Sequence, residues 1–77
     1  MPNLYQVQVT YIDQEGWEVC RTMTSQDTED KAFRLGQLFI DANQFAQAEI
    51  MVLPPNSEFW KVRDSQGRTK QRRVTHA

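Results

Sequence analysis

Two side chains in this sequence are of the kind that do covalent chemistry near neutral pH, the thiol of Cys20 and the imidazole of His76. A thiol nucleophile needs a base within hydrogen-bond reach, and that base needs a third group to orient it. Cys20 falls in the middle of an alternating run, and His76 sits one residue from the end of the sequence, where a chain frays. Cys20 therefore reads as a small packing residue. One thiol and one imidazole cannot complete the tetrahedral set of a structural zinc site. Asp27, Glu29 and Asp30 crowd together as the acids of a first helical turn do. They lack the alternation and central glycine of a calcium loop. The glycines at 16, 36 and 67 are too dispersed to cradle a phosphate. Nothing selects a pair of acids for proton transfer. The expectation is a protein that is not an enzyme and takes no metal or cofactor.

What remains is charge. Residues 1–60 carry nine acidic and three basic side chains, a net of −6, and residues 61–77 carry six basic and one acidic, a net of +5. The two sum to the chain's −1. Such asymmetry points to an acidic partner, or else to a solvated, solubilising edge. The candidate binding residues are Phe59, Lys61, Arg63, Arg68, Lys70, Arg72 and Arg73, within "FWKVRDSQGRTKQRRVTHA". Three arrangements of this end are open. If Arg63 lies opposite Arg68, the cations and Phe59 share one face as a basic ribbon, tolerable only with an acidic partner across it. A one-residue slip with a bulge at Gly67 sets Asp64 against Arg68 and turns Lys70 and Arg72 toward Val62 and Trp60. The third arrangement is a disordered tail, because Val74 is the one large aliphatic residue after Gly67.

These residues must be positioned by a small scaffold. "LYQVQVTYID" alternates Tyr5, Val7, Val9 and Tyr11 against Gln6, Gln8 and Thr10, the period of a half-buried strand. "DQEG" turns, and "WEVCRTMT" alternates again, making a hairpin. Ser25, Asp27 or Thr28 caps a helix running from about residue 28 to residue 42 or 43. Ala32, Leu35, Gly36, Phe39, Ile40 and Asn43 form its inner stripe. Phe33 and Leu38 widen that stripe and are the candidates for a dimer or partner contact. Asp27 with Lys31 and Asp30 with Arg34 are favourably oriented i,i+4 pairs. "AQAEIMVL" is a third strand, ended by Pro54-Pro55, and "EFWKVRD" a fourth, with Trp60 and Val62 as its core positions.

The expected fold class is α+β: an antiparallel sheet with one helix packed on one face, order β-β-α-β-β, with a short fifth strand as an option. Residues 1–67 make one domain, and 68–77 a basic strand or tail. A chain of 77 residues supports a single core. The single cysteine fits a reducing compartment, and no apolar run spans a membrane, so a cytoplasmic protein is expected. In this strand-strand-helix-strand-strand layout, with its basic closing hairpin "FWKVRDSQGRTKQRR", the chain resembles small phage and mobile-element accessory proteins, including anti-CRISPR inhibitors. That resemblance implies a single α+β domain acting by binding and transfers no functional residue. The leading expectation is a non-catalytic regulatory protein that binds a protein or nucleoprotein with an acidic surface. The alternatives are direct binding of RNA or DNA through the basic ribbon, and a homodimeric structural subunit.

Overall fold

In the computed structural model of the chain, residues 4–26 and 28–74 are described, without the side chains at positions 25, 26 and 46. The first alternating run forms β1 (Leu4–Ile12) and the second β2 (Glu18–Gln26). Helix α1 (Glu29–Asn43) follows, then β3 (Ala46–Leu53), β4 (Phe59–Arg63) and β5 (Thr69–Arg73). The fold is α+β, one helix on a five-stranded antiparallel sheet in the order β2-β1-β3-β4-β5. The basic end is thus a fifth strand through Arg73, not a tail. His76 lies outside the described residues. Among the described residues no helix is long and apolar enough to cross a membrane.

Thr28 caps α1, its hydroxyl accepting from Lys31 N–H at 3.3 Å. Glu29 and Asp30 occupy the first turn, where the helix dipole favours acids. Gln44 stops the helix in the left-handed region (φ 54°), its N–H donating to Ile40 O at 2.8 Å. The Asp27–Lys31 pair lies outside the described residues. The inner stripe is narrower than the spacing predicts: Ala32, Phe33 and Gly36 are buried, Leu35, Phe39 and Ile40 half-buried, and Asn43 exposed. A Cβ on Gly36 would stand 2.7 Å from Ile50 Cγ2, so glycine here sets how closely the helix approaches β3.

Register decides which side chains α1 covers. Val7, Val9 and Tyr11 pair across β2 with Met23, Arg21 and Val19, and Val7 and Val9 pair across β3 with Val52 and Ile50. Val7, Val9, Tyr11, Ala48, Ile50 and Val52 make the core beneath the helix, with Val19 and Met23 half-buried against it. Opposite Tyr11 the register shifts, and Gln47 takes a positive φ of 51°. This bulge accompanies an aromatic cluster in which Tyr11 stacks on Phe45 (centroids 3.6 Å apart) beside Phe39.

Two turns of one design close the two outer hairpins of the sheet. In Asp13–Trp17 and in Asp64–Arg68 the aspartate N–H donates to the carbonyl four residues on, at 2.9 and 3.0 Å. The aspartate Oδ1 accepts two loop N–H groups, and a glycine with φ 87° or 80° supplies the left-handed residue. β1 and β4 run the same way, so both turns lie at the same end. The first turn leaves Trp17 outside β2 and 68% exposed, although the alternation of "WEVCRTMT" runs through it.

Candidate basic face

The turn at Gly67 settles the register of the basic hairpin. β4 pairs with β5 as Phe59↔Arg73, Trp60↔Arg72, Lys61↔Gln71, Val62↔Lys70 and Arg63↔Thr69. This is the slipped arrangement. Arg68 does not oppose Arg63; it belongs to the turn, its Nε 3.0 Å from Asp64 Oδ2. The single-faced ribbon of Phe59, Lys61, Arg63, Arg68, Lys70 and Arg72 is therefore corrected to two separate faces. The physical cause is the five-residue Asp64–Arg68 turn, which shifts each partner by one residue and so flips every β5 side chain.

One face is the helix side. Ile50↔Arg63 and Val52↔Lys61 place the β4 cations beside α1. Lys61 Nζ meets Glu29 Oε2 at 2.8 Å. The Arg63 guanidinium lies 4.2 Å from the centre of the Phe33 ring, and the Arg73 guanidinium 5.4 Å from that of Phe59. Phe33 is thereby covered, 4% exposed, and offers no surface for a dimer contact. Leu38, the other candidate, is 61% exposed. Phe59 remains 39% exposed at the foot of this face. Among the described residues, neither Arg63 nor Arg73 has a carboxylate within ion-pair distance.

The other face has no helix. There Met51, Trp60 and Val62 form a second, smaller core with Leu53 and Val74 against it. Trp60 is 8% exposed, as a core position should be, but on the side away from α1. Its cross-strand neighbour is Arg72, and that of Val62 is Lys70. Arg72 Nη1 lies 3.8 Å from Met51 Sδ. Lys70 and Arg72 share Glu49, whose Oε2 is 3.7 Å and 3.9 Å away. That oxygen is buried without a hydrogen bond, so the attraction acts at ion-pair range only.

The turn also perturbs the titration of its own aspartate. The N–H of Arg68 bonds the Asp64 carboxylate and holds it below its ordinary value of 3.8; desolvation opposes this, and the N–H of Gln66 and the Arg68 side chain add to the lowering. Cys20, expected as packing, is exposed, with Sγ 3.9 Å from Gln8 Oε1. Three carboxylates, Glu29, Asp64 and Glu49, thus meet four of the six cations of this end. Sequence reasoning held this division open as the slipped register, one of three arrangements, without selecting it. The signal that carries it is the spacing Asp-x-x-Gly, present at both Asp13 and Asp64.

Comparison with known proteins returns no matching family model, and neither a curated protein nor a solved structure matches the chain.

Proposed function

We propose that the protein acts by non-catalytic binding, as a small regulatory module that grips an acidic surface of another protein through the helix side of β4 and β5. The observation that carries this reading is the pairing Phe59↔Arg73 in line with Lys61 and Arg63, with two guanidinium groups laid on rings and, among the described residues, without a carboxylate at ion-pair distance. A guanidinium stacked on a ring keeps its in-plane donors available for a carboxylate while losing less freedom on binding. Arginine and aromatic side chains also dominate the energetics of protein interfaces. Beside Arg63, a cleft of about 330 Å³ opens between α1 and the Asp64 turn, with Ile40, Phe45, Ala48 and Ile50 among its lining. It offers an apolar seat next to a cation, suited to an anchor residue of a partner. An inhibitor of the kind the layout resembles would work by occupying a surface in this way.

A continuous phosphate track fits less well, because Lys70 and Arg72 face the other side and Lys61 and Arg68 already meet carboxylates. The test is affinity capture from source cells, with and without nuclease, using the wild-type chain and the Arg63→Glu/Arg73→Glu variant. The expected result is a captured protein that survives nuclease and is lost with the variant, while the variant's thermal unfolding stays near wild type. Capture unchanged by the double substitution removes this face. Capture abolished by nuclease, with affinity for random DNA or RNA falling steeply with salt, favours the nucleic-acid reading instead.

A further inference from the structure

The two edges of the sheet differ in a way that the basic face does not explain. Strand β5 forms one edge and carries Lys70, Arg72 and Arg73, which guard it against pairing with another chain. Strand β2 forms the other and is nearly twice as long, with no proline, no glycine and no bulge in its register with β1. Because Asp13 N donates to Trp17 O, the pair 13/17 is hydrogen-bonded. Counting by twos along the register, Val19, Arg21 and Met23 direct their backbone groups to β1. The N–H and C=O groups of Glu18, Cys20, Thr22 and Thr24 therefore point outward. The basic residue of this strand, Arg21, does not guard them; its Nε reaches Tyr11 Oη at 3.4 Å across β1.

We infer that β2 is a self-association edge, pairing antiparallel with β2 of a second copy about a two-fold axis at Thr22. Thr22 is the midpoint of Glu18–Gln26, so this register pairs the whole strand. It sets Thr22 against Thr22 and Cys20 against Thr24 on the bare face, and Arg21 against Met23 on the helix face, with no like charges opposed. Moving the axis to Arg21 would oppose two guanidinium groups, and moving it to Cys20 would shorten the overlap. The outward backbone groups of Thr22 then form a hydrogen-bonded pair, and two sheets become one with both helices on the same side. This inference does not rest on the proposed partner face, which lies at the opposite edge.

The test is the solution mass of the full chain by light scattering and sedimentation, from micromolar to millimolar concentration. The expected mass rises from 9.1 kDa toward twice that value. Thr22→Lys, which opposes two ammonium groups on the axis, should keep the circular dichroism of the wild type and weaken association by at least about tenfold. Thr24→Cys should give a covalent dimer on oxidation through Cys20 of the second copy, and Cys20→Ser should abolish that link. Arg63→Glu/Arg73→Glu should leave the mass unchanged. A monomer at every concentration overturns the inference, whatever captures a partner. So does a dimer that survives Thr22→Lys and is lost in Leu38→Ala.

Discussion

On the helix side of the sheet, Val7, Val9, Ile50 and Val52 lie under α1 and are sealed by Ala32, Phe33 and the aromatic cluster. On the other side, Met51, Trp60 and Val62 lie beside the cations of β5. The helix covers β1, β3 and part of β2, and the outer hairpin of β4 and β5 is left to close itself. It does so with side chains that are apolar along the stem and charged at the tip, so Lys70 and Arg72 shield the second core while their charges stay at the surface. The comparison teaches that a run of cations in one hairpin need not be one site. Alternation sends Lys70 and Arg72 to the side of the second core, while Arg63 and Arg73 lie on rings on the helix side.

The largest effects should come from the two cores themselves. Trp60→Ala should cost about 3–5 kcal/mol and Ile50→Ala about 2–5 kcal/mol in urea unfolding. A near-neutral Trp60→Ala would mean that the bare face holds no second core. Gly36→Ala should cost about 1–3 kcal/mol, because the new methyl meets Ile50 and the helix must rise from the sheet. The loss should be confined to the helix side, so hydrogen exchange should quicken in β3 but not in the β4–β5 hairpin.

Smaller effects separate the two sets of cations. Lys70→Ala/Arg72→Ala should lower stability by on the order of 1 kcal/mol through lost packing, and this loss should persist in high salt. Arg63→Glu/Arg73→Glu should instead act mainly on binding. The smallest effect is at the turn. The Asp64 carboxylate is held below its ordinary value, so its contribution is fully present above about pH 3.8 and is lost as pH falls through the lower folded value. Asp64→Asn should therefore flatten the stability profile only on the acid side of that point. The two proteins should differ above about pH 3.8 and converge as pH falls through the lower folded value, and a difference that grew toward acid pH would contradict the assignment.

Much of this arrangement is legible in the residues. Period-2 alternation in "LYQVQVTYID" and "WEVCRTMT" marks out β1 and β2, the cap candidates Ser25, Asp27 and Thr28 bracket the start of α1, and the Pro54-Pro55 stop ends β3. The alternation also separates Trp60 and Val62 from Lys61 and Arg63. It cannot say which of those sets faces the helix, because that depends on how many strands one helix of 15 residues can cover. Phe33 illustrates the same gap. At the edge of the apolar stripe it reads as surplus until β4 brings the Arg63 guanidinium over its ring. Trp17 errs the other way, since a strand pattern extends through it while the five-residue turn ejects it. The register of the basic hairpin follows from the same turn at Asp64, which is local chemistry once the two turns are seen to match.

The two-sided account is tested most directly by the accessibility of Trp60. In a Trp17→Phe background, which removes the exposed indole, fluorescence of the remaining Trp60 should be blue-shifted and resist acrylamide quenching. Truncation after Asp64, or Lys70→Ala/Arg72→Ala, should shift it to the red and open it to the quencher. Emission from Trp60 that is already red-shifted and quenched like a free indole with β5 in place would contradict the account.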